Sequence, residues 1–301
     1  MPPVLVKKSA LAKPFLKWAG GKTQLLDEID KRLPKEDIQN GEIDTYVEPF
    51  VGGGAVFFHI AQNYPLIKQF YLFDINEDLI NCYNAIKNNV DSLVEELKTL
   101  EKDFLRRNNS ARKSFYLKNR DEFNVDRSTA KLIFLNKTCF NGLYRVNRKG
   151  EFNVPFGDYK NPTICNENNL RSASQILQKA EIICGDFTDS QTHIDSHTFV
   201  YFDPPYRPLS PTASFTSYSK EDFNKDDQIR LAEFCRQIHS EGAKFLLSNS
   251  DPKNENPKDQ FFEDNYPQEE GFTIERVTAA RAINCKGKGR GPIHELIITS
   301  Y

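Results

Sequence analysis

The residues best suited to chemistry sit in Asp203-Pro204-Pro205-Tyr206, which closes the apolar run Val200-Tyr201-Phe202. The run reads as a buried strand. Pro204 cannot extend a sheet ladder and biases Asp203 toward extended backbone, so the acid is held at the strand's carboxyl end. That edge is where open α/β sheets bind ligands. A carboxylate followed by a rigid Pro-Pro turn offers two fixed acceptors, the Asp203 side chain and the carbonyl of Pro204 or Pro205, while Tyr206 adds a flat apolar face. Such a site suits a planar ring bearing an exocyclic amine: its two N–H bonds are held, and the nitrogen lone pair turns out of the ring plane toward an electrophile. Taken alone, the tetrapeptide is equally a strand ending in a proline turn, and only a partner motif elsewhere in the chain distinguishes the two.

One partner lies in Ile43 to Phe58, where a strand, the loop Glu48-Pro49-Phe50-Val51-Gly52-Gly53-Gly54 and an apolar helix follow one another. Doubly wound folds cradle nucleotides this way, because glycines let backbone approach a ligand where side chains would collide. A second strand, Gln69 to Asp74, ends in an acid twenty residues after Gly54. At that spacing Asp74 can accept hydrogen bonds from ribose hydroxyls, which points to an adenosine-type cofactor. The loop is Phe-x-Gly-x-Gly rather than Gly-x-Gly-x-x-Gly, which tilts away from a dinucleotide. Further upstream, Gly20-Gly21 permits a tight backbone before a helix expected to reach Leu33, with Lys22 in its first turn and Trp18 just before it. Gly-Gly-Lys-Thr lacks the earlier glycine and preceding strand of a phosphate loop.

The chain has 301 residues, 39% apolar and 27% charged, enough for one large domain or two modest ones. No run approaches the ~18 apolar residues of a membrane span, and the first residues lack a signal-peptide core. A cytoplasmic protein is expected. The six cysteines are scattered, without CxxC or clustered histidines, so reduced structural thiols are expected and no metal site. The formal net charge of −2 hides strong segregation. Between Arg106 and Lys149 stand 12 Lys or Arg against three acids, and Arg276 to Arg290 has five basic residues and no acid. Such separation is the footprint of a face that meets a polyanion.

The remaining elements follow from periodicity. Asn76 to Lys102 reads as one or two helices capped by Asn76 or Asp78, and Arg106 to Phe140 as a basic helical insertion. Two short strand-like runs around Asn147 to Gly150 suit a β-hairpin of a kind that enters a DNA groove. A helix near Glu167 to Gln178 comes next, then a strand at Glu181 to Cys184 with Gly185-Asp186-Phe187 behind it. A helix (226–241) and a strand (243–247) follow the main motif, and 251–260 reads as a loop. Two alternating strands, 272–277 and 294–299, flank a basic Gly-Lys-Gly-Arg-Gly segment. The Ser/Thr-rich stretch Leu209 to Ser219 has the length of a lid.

With these motifs in this order, the chain resembles the Dam-like DNA N6-adenine methyltransferases over nearly its whole length. The matching stretches are Phe-Leu-Lys-Trp-Ala-Gly-Gly-Lys (15–22), Glu-Pro-Phe-Val-Gly-Gly-Gly (48–54), Asn-Gly-Leu-Tyr-Arg (141–145), Gly-Glu-Phe-Asn-Val-Pro-Phe-Gly (150–157) and Asp-Pro-Pro-Tyr (203–206). The resemblance implies an α/β fold with a Rossmann-like class I methyltransferase sheet. The catalytic domain would comprise 1–102 and 166–301, with a helical and β-hairpin target-recognition domain inserted at 103–165. S-adenosylmethionine would be the cofactor and double-stranded DNA the partner, with no membrane and no obligate protein partner. Trp18 and Lys22 would contact the cofactor, Asp74 its ribose, and Asp186 with Phe187 its adenine; Phe50, Gly52 and Gly54 would form its loop. Asp203 would sit where cofactor and target base meet, with Pro204, Pro205 and Tyr206 completing the catalytic motif. The expected target is the adenine of GATC. Lys17 would read the first guanine and Arg145 the guanine opposite the last cytosine. Leu143 and Pro155 would pack on thymine, Phe140 would wedge beside the vacated base, and Asn141 would join the DNA contacts. Phe140 stands where relatives often carry Tyr, and Asp158 where some carry Arg.

Three other functions share some of these features. An exocyclic-amine methyltransferase with another target (a different DNA sequence, cytosine N4 or RNA) would keep everything except the hairpin motif. A nicotinamide oxidoreductase would use only the glycine loop. A silent DNA-binding protein should have lost at least one of Trp18, Asp74 and Asp203, and all three are present.

Overall fold

The computed structural model describes residues 11–207, 223–280 and 292–301. Seven strands form one sheet: β1 (Thr45–Glu48), β2 (Gln69–Asp74), β3 (Ala180–Cys184), β4 (Thr198–Phe202), β5 (Lys244–Ser250), β6 (Thr273–Ala280) and β7 (Pro292–Thr299). Their spatial order is β3-β2-β1-β4-β5-β7-β6, parallel except for β7, which runs antiparallel to both β5 and β6. This is the Rossmann-like sheet expected from the resemblance. The strand order reverses between β1 and β4, so Glu48 and Asp203 leave adjacent strand ends at the switch point.

Every residue of β1 and β4 is buried, as expected of central parallel strands covered on both faces. Successive side chains alternate between two cores. Tyr46, Phe70, Leu72, Phe199, Tyr201 and Leu246 pack with α3 (Ala55–Asn63), α4 (Glu77–Leu105) and α7 (Glu167–Leu177). Val47, Phe73, Val200, Phe202, Phe245 and Leu247 pack with α8 (Lys225–Ser240) and α9 (Phe261–Asn265). The helix expected to reach Leu33 is shorter. A 3-10 turn at Lys22–Gln24 leads into α1 (Leu26–Lys31), and α2 (Lys35–Asn40) follows.

The 76–102 stretch is one helix, α4, kinked at Asn89, where φ −137 and ψ 36 leave the helical region, and capped by the Asn76 side chain, which accepts from Leu79 N at 3.0 Å. It runs three residues past the expected boundary at 102. The basic stretch folds as α5 (Asn109–Asp126) and α6 (Thr129–Thr138), capped by Asn108 and Ser128. Arg112 closes the end of α4 by donating to the carbonyls of Phe104, Leu105 and Lys160 at 3.2, 2.8 and 2.7 Å.

The expected hairpin has the turn but not the ladder. Gly150 N bonds Asn147 O at 2.8 Å, and only isolated bridges, Val146 with Phe152 and Cys139 with Phe156, join its arms. Side chains do the work of a neighbouring strand. Asn124 brackets Phe152, accepting from its N–H at 2.7 Å and donating to its carbonyl at 3.1 Å, while Tyr116 donates to Val154 O at 2.7 Å. In 251–260 the chain forms a 3-10 turn at Pro252–Asn254. The lid stretch Leu209 to Ser219 and the Gly-Lys-Gly-Arg-Gly segment lie outside the described residues. No helix among the described residues is long and apolar enough to cross a membrane.

Asp30 of α1 ties that helix to α3 by accepting from His59 and Tyr64 at 2.7 and 2.6 Å, and it pairs with Lys35 at 2.7 Å. Burial would raise its pKa, but those three hydrogen bonds outweigh it and bring the carboxyl from 3.8 down to about 2. A depressed folded-state pKa contributes stability that is present above the unfolded value and lost as pH falls through the folded one. Asp30→Asn is therefore expected to cost roughly 1–2 kcal/mol at neutral pH. The gap to wild type should close between pH 4 and 2, as read from urea midpoints across that window.

Candidate active site

The loop after β1 is shaped by two positive-φ glycines, Gly52 at +46° and Gly54 at +70°. A Cβ on Gly54 would lie 2.5 Å from the Tyr83 hydroxyl, which itself donates to Gly52 O at 2.9 Å. Asp74, at the end of β2, reaches across to this loop. Its Oδ2 accepts from Gly52 N at 3.1 Å and its Oδ1 from Asn76 N at 2.9 Å. Burial pushes the Asp74 carboxyl up to about 6, against the pull of those two N–H groups. Trp18 stacks on Tyr144 at 5.2 Å and packs against Gly52 and Gly53. Phe50 stacks on the buried Phe187 at 5.5 Å. Beside Asp74, Ile75 is 61% exposed, an apolar surface the sequence reading passed over.

Asp186 caps the 3-10 turn Phe187–His193 and is spanned by Arg230 of α8 at 2.8 and 2.9 Å. Arg230 also lies 4.3 Å above the Phe187 ring. Burial would raise the Asp186 carboxyl, but Arg230 and Thr188 hold it below the usual range.

Asp203 stands at the end of β4, as the proline argument required. Its Oδ1 pairs with Lys22 Nζ at 2.5 Å. Lys22 is only 4% exposed; its ammonium also donates to Gly20 O at 2.7 Å and sits 4.7 Å from the centre of the Tyr206 ring. Burial raises the Asp203 carboxyl, Lys22 opposes this, and Glu295 of β7 adds to it. Two further acids were not singled out by sequence. Glu48, buried and accepting from Tyr46 at 2.7 Å, is raised well above the carboxylate range by burial, with Asp203 contributing. Glu295 accepts from the Tyr206 hydroxyl at 2.6 Å. Of the two candidate carbonyl acceptors, Pro205 O is taken by Gln228 Nε2 at 2.9 Å. Pro204 O is the other of the two candidate acceptors.

The residues expected to read DNA converge from separate segments. Lys17 is anchored through its backbone, whose N and O meet Asn136 at 2.9 and 2.8 Å, and its ammonium lies 5.0 Å from the Tyr159 ring centre. Asn136 also donates to Gly142 O at 3.0 Å, joining Lys17 to the Asn-Gly-Leu-Tyr-Arg turn. Phe140 is 51% exposed, and its N–H bonds Pro155 O at 2.9 Å. Asn141 adopts φ +57° and donates its N–H to the Tyr159 hydroxyl at 3.1 Å. Leu143 is half-buried against the core, while the exposed Arg145 is oriented by Asn153, at 2.7 Å to its Oδ1 and 3.3 Å to its O.

The basic run is less available than its composition suggests. Arg127 binds Asp78 and Gly150 O, Lys131 pairs with Glu122 and Asp126, Arg106 with Asp103, and Arg112 is spent on α4. Lys137 is the cation the sequence did not separate from the run: burial, then the nearby Lys17, lowers its ammonium to about 8.

The sequence profile of the D12 class N6 adenine-specific DNA methyltransferases matches residues 18–283. The chain belongs to that family. It is 53% identical over 297 residues to the type II methyltransferase M.MjaIII of Methanocaldococcus jannaschii, covering 96% of this chain and 99% of that one. The DNA adenine methylase of Vibrio cholerae is 38% identical over 289 residues, 94% of each chain. The DNA N-6-adenine-methyltransferase of Escherichia phage P1 is 35% identical over 291 residues, which cover 94% of this chain and 35% of the phage protein. For an adenine-specific DNA methyltransferase, an acid and a carbonyl fixed at one strand end are suitable acceptors for an amine.

Gly54→Ala should lower stability by about 1–3 kcal/mol, since the new methyl meets both an αL backbone and the Tyr83 hydroxyl. Denaturant unfolding reads this; an unchanged midpoint would contradict the strain argument.

Proposed function

We propose that this enzyme transfers a methyl group from S-adenosylmethionine to N6 of the adenine in GATC, acting on duplex DNA after extruding that base, in the cytoplasm. The observation that carries this reading is Asp203, fixed at the β4 end with Oδ1 on the buried Lys22, beside Pro204 O and the Tyr206 face.

The residues present fit the cofactor: positive-φ glycines shape the loop, Asp74 stands at the β2 end, and Ile75 offers an apolar face beside it. When bound, S-adenosylmethionine supplies an electrophilic methyl on a sulfonium. Asp74 would accept from its ribose, while Phe50, Phe187 and Asp186 would hold its adenine and Trp18 would cover the loop. Lys22, expected at the cofactor, serves in this reading chiefly to keep Asp203 ionised. Extruding an adenine costs a few kcal/mol of stacking, and stacking on Tyr206 returns roughly 1–3 kcal/mol. Asp203 Oδ2 and Pro204 O then hold the two N6 hydrogens. This frees the nitrogen lone pair from conjugation and aligns it out of the ring plane.

Residues 103–165 form the target-recognition part and 1–102 with 166–301 the catalytic part. Lys17 and Arg145 address the two guanines, Leu143 and Pro155 the thymine methyl, and Phe140 fills the gap left by the adenine, with Asn141 beside it. The exposure of Phe140 and the pre-orientation of Arg145 support those roles.

Labelled S-adenosylmethionine offered with duplexes differing only in GATC against GTAC should yield N6-methyladenine on GATC alone. Equal labelling of both would sink the site assignment. Asp203→Ala should abolish turnover with DNA binding retained; substantial residual activity would remove the acid from this role. Lys22→Met takes away the group that opposes burial at Asp203, so the carboxyl stays protonated to higher pH. The acid limb of the kcat profile should move upward, with a larger loss at pH 6 than at pH 8.

A further inference from the structure

Tyr206 is held at two ends by Glu295 and Gln228, neither of which contacts the amine or the cofactor in the reading above. At its phenol end, the hydroxyl donates to Glu295 Oε2 at 2.6 Å. At its backbone end, the carbonyl of Pro205, which belongs to the peptide entering Tyr206, accepts from Gln228 Nε2 at 2.9 Å. The direction of this second bond is forced by a buried chain of amides. Ser250 N–H donates to Asn249 Oδ1 at 2.9 Å, so Asn249 turns its Nδ2 to Gln228 Oε1 at 3.3 Å, and Gln228 is left with its own amide nitrogen facing Pro205. Gln228 is 1% exposed and Asn249 fully buried, so each unmet bond would carry the cost of a desolvated polar group. Both arms rest on one place in the sheet: Ser250 of β5 and Glu295 of β7 are register partners in the antiparallel pair.

We propose that Gln228 and Glu295 are positioning residues that fix the Tyr206 ring, through its backbone and its hydroxyl, as the pre-set wall on which the extruded base stacks. The proposal rests on the adenine-transfer reading above. With the ring plane set before the base arrives, the base meets a fixed surface and no side-chain ordering is left to the binding step. The Lys22 ammonium over the same ring, ion-paired with Asp203, ties that wall to the acceptor for the amine.

The test uses Glu295→Ala, Gln228→Leu and the conservative Glu295→Gln, with kcat, KM for DNA and thermal midpoint measured for each. Fluorescence of a duplex carrying 2-aminopurine at the target position reports how well the extruded base is stacked. Glu295→Ala and Gln228→Leu should lose about 10- to 100-fold in kcat with KM for DNA within about twofold of wild type. Their 2-aminopurine emission should exceed that of wild type, because the base is extruded but poorly stacked. Glu295→Gln, which keeps an acceptor oxygen for the phenol, should recover most of the rate. The proposal is overturned by wild-type kcat in Glu295→Ala, by a loss confined to KM, or by a Glu295→Gln variant as impaired as Glu295→Ala. If Gln228→Leu fails to fold, the two Glu295 variants decide alone. A wild-type enzyme that makes no N6-methyladenine overturns the functional reading itself, and that result is in hand before any variant is compared.

Discussion

The ion pair between Lys22 and Asp203 is the constraint on which the rest of the site depends. Removing a carboxylate and an ammonium from water costs several kcal/mol each, and the pair survives only where the geometry and the remaining hydrogen bonds are good. Here both partners are delivered by rigid local backbone. Pro204 ends β4 and holds Asp203 at its tip, while Gly20, at φ +77°, turns the chain so that Lys22 begins a 3-10 turn pointing inward and gives a second hydrogen bond to Gly20 O. Segments some 180 residues apart in sequence are thereby locked around one charge pair.

Around it, three strands end in acids, Glu48, Asp74 and Asp203, and each is pulled upward by burial. They are compensated differently: Glu48 by a tyrosine hydroxyl, Asp74 by two backbone N–H groups, and Asp203 by a lysine. Of the three, Asp203 alone is compensated by a cation. The same strand-end geometry therefore serves loop anchoring at Asp74 and, in the proposed mechanism, acceptor chemistry at Asp203.

Charge behaves likewise on the recognition side. The basic run from Arg106 to Lys149 looks like a single polyanion-binding face, yet several of its members neutralise acids or cap α4. Lys137 of this run and Lys17 upstream of it lie together near the Asn136 amide that binds both the Lys17 backbone and Gly142. Composition counts charges, whereas packing decides which of them are already satisfied.

What the sequence determined is what local sterics and periodicity dictate. The stop of β4 at Asp203, the glycine loop, the end of β2 at Asp74 and the Asn76 cap were all legible, because proline, glycine and capping side chains act within a few positions. What only the tertiary structure decided are the partners. The Pro205 carbonyl is consumed because α8 brings Gln228 to the turn. Glu295 meets Tyr206 because β7 inserts antiparallel between β5 and β6, a pairing no local pattern encodes. The hairpin expected from turn chemistry keeps its turn, while the backbone groups of Phe152 and Val154 that face away from the other arm are met by Asn124 and Tyr116 of α5 rather than by a further strand. Local rules fix where chain direction and conformation change; which buried polar group meets which is set by long-range packing, where leaving one unmet is costly.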